Sequence, residues 1–296
     1  MNSTFVPHEN PKLAHIQFQS DRIKAKVFPA LGASLQEFTI DGLTIIEGIA
    51  IDKSGLKQYA ERYCSSILFP FPNRLKNGSF TFNKENILLE LNEPENQNAI
   101  HGLVYDKAFE IITLDSHSCI LQYINDNTLY SYPYKLLIAY KFSNDSLKMT
   151  IEVQNTGNQT LPFGIGWHPY FNVNSLDYST IKFDADSKVL VDDRMLPSEI
   201  KKEDISGFNL QSIELDDAFK LVSRSITLES PEYTLNMLVP DDSYLQLYTP
   251  PSRNSIAIEP MSCIANAFNT KEGLKNLAPR ESYVWEVNLN ITIYRK

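Results

Sequence analysis

Residues 134 to 153 read YKLLIAYKF, SND, SLKMTIEV: two runs whose apolar side chains recur at every second position, divided by a short polar turn. A period of two places one face of each run on a core, whereas a helix would repeat about every 3.6 residues. The same pattern returns in HIQFQ (15–19) and RIKAKVF (22–28), then in SITLES, YTLNMLV, YLQLYT and SIAIEP. It ends in a long closing strand, SYVWEVNLNITIYRK (282–296). After the turn QNTGNQ, the run TLPFGIGWH (160–168) is expected to continue the meander that starts at 134. The one convincing helical candidate is KSGLKQYAERYCSSI, about 53–67, where apolar positions fall three and four apart.

Strands that do not alternate with helices exclude a parallel α/β sheet. Their number exceeds what a small sandwich of about seven strands uses. No Gly/Ser/Pro-rich linker and no internal repeat divides the chain. The expectation is an all-β protein, one domain over residues 1–296, built as a large antiparallel β-sandwich.

The formal charge of −9 argues against nucleic acid as a partner, since no Lys/Arg stripe is present to neutralise phosphates. No run of about 18 apolar residues points to a membrane span. The segment MNSTFVPHENPKLAH lacks the basic and apolar regions of a signal peptide, so a cytoplasmic location is expected. Cys64, Cys119 and Cys263 are odd in number and scattered, giving neither a disulfide framework nor a zinc spacing.

Chemistry must come from isolated residues in unusual settings, because no phosphate-binding loop, dinucleotide fingerprint, nucleophile elbow or HExxH motif occurs. FPFPNRLKNGSF (69–80) sets Asn73 and Arg74 on a stiff, proline-rich approach to a strand. NAIHGLVYDKAF (98–109) places His101 beside a glycine that permits close approach. In FGIGWHPYFNV (163–173), His168 ends an apolar strand just before Pro169, which cannot donate to a ladder. Trp167, Tyr170 and Phe171 around it offer flat faces of the kind that stack on sugar rings. IAIEPM (256–261) carries Glu259, again before a proline, and IELDDAFKL (213–221) carries Asp216 and Asp217. Each could equally be ordinary: a surface arginine, a satisfied core histidine, a strand-end glutamate, a solvated acid pair.

Taken in order, Asn73-Arg74 before a Gly turn, Ile-His-Gly at 100–102, His-Pro-Tyr-Phe at 168–171, Asp216–Phe219, LQLYT and Glu-Pro-Met at 259 resemble the aldose 1-epimerase (galactose mutarotase) family. The resemblance covers about residues 20 to 294. It implies the galactose mutarotase-like supersandwich, a free sugar as partner, no cofactor and no metal. It implies interconversion of the α and β anomers of an aldose by a monomer or homodimer. Glu259 falls on the family's general base, His168 on its general acid, His101 on the second active-site histidine, and Arg74 and Asp216 on the substrate-binding pair. Asn73 and Trp167 join them as substrate contacts by their place in the same motifs. The stretch DDAF leaves the choice between Asp216 and Asp217 open.

Ring opening needs the C1 hydroxyl to lose a proton while the ring oxygen gains one, so one base and one acid suffice. The expected arrangement is an ionised glutamate and an imidazolium, its pKa raised by a carboxylate, on opposite sides of the acetal carbon. Other readings are a hexose-6-phosphate epimerase using Arg74, Lys76 and Arg253 on the phosphate, a non-catalytic sugar-binding module, and a metal site at His101, His168 and Glu259.

Overall fold

The computed structural model describes residues 1–125 and 130–294. Two large antiparallel sheets dominate it. The first has 13 strands and runs Asn2–Val6, His15–Gln19, Ile23–Phe28, Ser34–Ile40, Leu43–Glu47, Tyr170–Asn172, Ser255–Met261, Tyr244–Tyr248, Asp216–Leu221, Ala185–Val191, Pro197–Ile205. Two short strands, Ile67–Leu68 and Gly166–Trp167, join it beside Ser255–Met261. The second sheet has nine strands, in the order Glu110–Leu114, Ser118–Asn125, Tyr134–Ser143, Ser146–Asn155, Ser282–Ile293, Tyr233–Leu238, Ser225–Glu229, Thr180–Lys182, Phe208–Asn209.

Alternation decides what each strand buries. Along Tyr134–Ser143 the residues Tyr134, Leu136, Ile138, Tyr140 and Phe142 are buried, while Lys135 and Lys141 face away. The buried set meets the first sheet directly. The Phe142 ring lies 4.7 Å from that of Phe18 and 5.8 Å from that of Phe38. The Tyr140 hydroxyl, deep in this layer, donates to the Ala33 carbonyl at 2.9 Å, so its polar tip is not left orphaned. The large antiparallel β-sandwich is therefore observed, and its core is the layer between the sheets.

Three expectations need correction. The helix spans Lys53–Arg62 only, capped by the Asp52 side chain and stopped by Tyr63 in the left-handed conformation, so residues 63–67 turn away as loop and strand. The run 160–168 is not one strand continuing the meander. Leu161–Phe163 pairs with Lys275–Leu277, and Gly166–Trp167 pairs with Ile67–Leu68 and Met261. Close packing at Gly164 explains the break: a Cβ there would lie 2.3 Å from Cys263 Sγ and 2.9 Å from Pro72 Cδ. The closing strand stops at Ile293, and residues 295–296 of that run lie outside the described residues. Among the described residues no helix is long and apolar enough to cross a membrane.

Candidate active site

The inner face of the first sheet serves the core, and its other face carries the site. Ser255–Met261 is buried throughout, with Ile256 and Ile258 in the inter-sheet core. Glu259, between Ile258 and Pro260, must therefore point the other way. Its register partner on the next strand is Gln246, flanked by core residues Leu245 and Leu247. One strand further, Asp216 pairs with Tyr248. Asp216, Gln246 and Glu259 thus form a polar row across three strands, on the floor and lip of a cavity of about 690 Å³.

The same alternation settles the acid pair. Asp217 shares its strand face with Phe219 and Leu221 and forms an ion pair with Lys188 at 2.7 Å, whereas Asp216 lines the cavity. It also overturns the expectation for Trp167. Because His168 enters the cavity, its neighbour is turned into the inter-sheet core, where Trp167 is fully buried and meets Phe171 edge-on at 6.4 Å. Of the three aromatics around His168, only Tyr170 lines the cavity, stacked on the imidazole at 5.2 Å.

His168 is held through its backbone. Its N–H donates to the Ser66 carbonyl at 3.1 Å and its carbonyl accepts from Ser65 N–H at 2.8 Å. Nε2 lies 3.4 Å from Glu259 Oε1. The two groups are side by side, not on opposite sides of a sugar-sized gap. Nor is the imidazole pKa raised. Burial pushes His168 down to about 4, its own backbone hydrogen bond opposing and Arg62 assisting. Burial likewise drives Glu259 well above the usual carboxylate range, with Asp216 adding and Arg74 opposing. Desolvation outweighs mutual attraction here, favouring an uncharged pair that holds one proton, on the carboxyl.

His101 completes the cluster, its ring 5.1 Å from His168 and nearly perpendicular to it, and 4.7 Å from Tyr63 on its other side. Burial, then His168 and Arg74, hold it neutral. Its Nδ1 has no partner, and neither do His168 Nδ1 and Glu259 Oε2. The three residues that carry these unsatisfied atoms all line one cavity, where a polar ligand would find buried hydrogen-bonding groups without partners.

His101, Asn73 and Tyr63 all have left-handed backbones, with φ of 62°, 53° and 51°. Side chains other than glycine adopt that conformation at a cost, and such strain concentrates at functional positions. The ribbon Arg74–Lys76 with Asn98–Ile100 brings Asn73 and His101 together, the His101 N–H donating to the Asn73 carbonyl at 2.9 Å. Gly102 follows at φ 73°, where a Cβ would lie 2.3 Å from the Phe69 carbonyl oxygen.

Arg74 lines the cavity, and sequence reasoning missed its partner. Glu93, 7% exposed, takes Arg74 Nε at 2.9 Å and Nη2 at 2.8 Å, and accepts from Asn98 Nδ2 at 2.9 Å. Its setting, LNEPENQN, reads as an ordinary polar loop. Gln246 was missed too, although a lone amide between leucines in YLQLYT was a usable signal. It accepts from Asn73 Nδ2 at 3.2 Å and donates to Asp216 Oδ1 at 2.8 Å, tying two expected contacts into one chain. Arg62 and Tyr63 reach the cavity from the helix end, Arg62 lying 4.5 Å above the Tyr170 ring. Among the described residues no group of three His, Cys, Asp or Glu side chains is arranged to hold a metal ion.

The aldose 1-epimerase family model matches residues 15–290. The uncharacterized protein YihR of Escherichia coli (strain K12) is 28% identical over 256 residues, 81% of each chain. The galactose mutarotase of Sus scrofa is 22% identical over 207 residues, 66% of this chain and 59% of that protein. A galactose mutarotase-like protein from Clostridium acetobutylicum shares the fold with a TM-score of 0.83, at 22% identity over 95% of this chain and 96% of its own. The galactose 1-epimerase of Lactobacillus acidophilus NCFM gives 0.79 at 19% identity, over 99% of both. With its fold shared by these structures and its matched span holding every residue of the cluster from Asn73 to Glu259, the chain belongs to the aldose 1-epimerase family.

Proposed function

We propose that this protein is an isomerase that interconverts the anomers of a free aldose by opening and reclosing its ring. The observation that carries this is the His168–Glu259 contact of 3.4 Å at the base of a solvent-reached cavity. The C1 hydroxyl and ring oxygen of a cyclic sugar are bonded to one carbon, so an acid and a base held side by side reach both. With sugar bound, the pair's proton passes from the Glu259 carboxyl to His168 across their contact; Glu259 as carboxylate then takes the C1 hydroxyl proton while His168 as imidazolium gives one to the ring oxygen, and the C1–O5 bond breaks. The open aldehyde then faces a protonated carboxyl and a neutral imidazole, the state that burial favours. Rotation about C1–C2 and the reverse transfers close the ring as the other anomer.

His101 lines the cavity beside His168 and faces a sugar oxygen there, while Arg74, Asn73 and Asp216 hold hydroxyls. A phosphorylated hexose fits less well. Arg74 is already engaged by Glu93, and Arg253 is spent on Asp177 at 2.7 Å and on the Leu210 and Ile213 carbonyls. Lys76 is exposed and does not line the cavity. Polarimetry on freshly dissolved α-glucose and α-galactose, with a wider panel behind them, tests the proposal. Equilibration no faster than in buffer across the panel refutes it, and binding without turnover assigns the fold to a sugar-binding module instead.

A further inference from the structure

Ile100 sits opposite Arg74 in the short ribbon beside the cavity, and the ladder bond next to this pair runs from His101 N–H to the Asn73 carbonyl. By antiparallel geometry the N–H and C=O of Ile100 itself face the ribbon's open edge. One side chain takes up both. Asn92 Oδ1 accepts from Ile100 N–H at 2.7 Å, and Asn92 Nδ2 donates to the Ile100 carbonyl at 3.0 Å and to the Tyr63 hydroxyl at 3.3 Å. We propose that Asn92 is a positioning residue for His101, fixing the peptide that carries its imidazole at the cavity wall. The inference rests on the isomerase reading of that cavity.

The Ile100 carbonyl and the His101 N–H belong to one planar peptide unit, clamped from opposite sides by Asn92 and by the Asn73 carbonyl. The next rotation along the chain is the φ of His101, held at 62°, a value that an unheld side-chain-bearing residue leaves readily. Downstream, Leu103 N–H donates to the Phe69 carbonyl at 2.7 Å. Through the Tyr63 hydroxyl the same amide also steadies the ring that lies 4.7 Å from His101. Asn92 is itself anchored. Its neighbour Glu93 grips Arg74, and Glu93 and Asn98 exchange backbone hydrogen bonds at 3.1 Å that close the loop between them. Arg194 braces this loop from outside, donating to the Asn96 and Gln97 carbonyls at 2.9 and 2.8 Å. Consecutive residues thus serve two site groups, Glu93 holding Arg74 and Asn92 holding His101. Asn92 is exposed at the cavity rim, so removing it strips no core packing.

Polarimetry on Asn92→Ala is expected to show kcat down about tenfold, KM within about twofold of the wild type and a melt close to the wild type's. Asn92→Asp supplies a readout that a merely structural role would not move. Its carboxylate keeps the acceptor for Ile100 N–H and loses the donor, whereas its protonated form returns an O–H to the Ile100 carbonyl. The ratio of its kcat to the wild type's is expected to climb toward one as pH falls from about 7 to about 4, while the Asn92→Ala ratio stays flat. Imidazole NMR of the same proteins, with His101 assigned through His101→Gln, is expected to show its ring signals displaced in Asn92→Ala and those of His15, stacked on Phe28, unmoved. A wild-type kcat in Asn92→Ala overturns the inference, as does a change carried by KM or by a lowered melt in place of kcat, or an Asn92→Asp ratio flat with pH. A wild-type protein that turns over no sugar refutes the isomerase reading instead. Displaced His101 signals then keep Asn92 as the anchor of that ring, and unmoved ones discard it.

Discussion

Replacing Glu259 by Gln removes one ionisable group from a fully buried position and changes almost nothing in shape. Positioned acid–base catalysis contributes roughly 10²–10⁴-fold, so the variant should lose about 3–5 kcal/mol of barrier lowering. Stability should respond in a way that a general packing defect would not. A carboxyl whose folded pKa lies above its unfolded value stabilises the fold fully below the unfolded value, and that contribution is lost as pH rises through the folded one. Glu259 is raised well above 4.5 by burial, each unit being worth about 1.4 kcal/mol. The wild type should therefore lose stability as pH climbs above the ordinary carboxylate range, and the Gln variant should lack that slope. Polarimetric rates and thermal melts from pH 5 to 9 measure both effects. A variant within about threefold of wild-type rate removes Glu259 from the base role. A melting profile that still falls with pH as the wild type's does refutes the buried neutral carboxyl.

His168 is displaced the other way, from 6.5 to about 4, so the stability of its neutral form is present above 6.5 and lost as pH falls toward 4; His168→Asn should shrink that acid-side loss in a pH series of melts and cut the rate roughly 10²-fold or more. Trp167→Ala should cost about 3–5 kcal/mol in denaturant unfolding yet leave KM unchanged in the folded fraction, because the indole lines the core and not the cavity. Asp216→Asn should raise KM severalfold, while Asp217→Asn should leave KM alone and cost at most about 1 kcal/mol, the ordinary worth of a partly exposed ion pair with Lys188. Glu93→Gln strips the carboxylate from a largely buried Arg74 and should destabilise by about 3 kcal/mol, with kcat/KM falling through a displaced guanidinium; an unchanged melt and unchanged kinetics would show the pair to be ornamental.

Much of the fold was readable because alternation is local. HIQFQ, RIKAKVF, YKLLIAYKF and SLKMTIEV each state their own buried face, and all appear as strands within a residue or two. The run 160–168 misled because its split depends on Cys263 and Pro72 crowding Gly164, contacts far away in sequence. Among site residues, His101, His168 and Glu259 stood out beside a glycine or a proline. Glu93 also precedes a proline but sits in a polar loop, and its burial comes from Arg74, nineteen positions earlier in the chain. Trp167 was misassigned for want of the rule that located Asp216: the neighbour of a cavity residue on a strand belongs to the core. The protonation of the His168–Glu259 pair was beyond sequence, because burial outweighs attraction only once both groups are shut in together.

The strands beneath the cavity are two-sided, with Ile258 behind Glu259, Leu247 behind Gln246 and Trp167 behind His168. A slip of one position would send the carboxylate into oil and the isoleucine into water, so a half-formed sheet has no half-working cavity. Turnover is thus a readout of correct threading, and refolded samples should regain it in step with their final cooperative transition, never ahead of it.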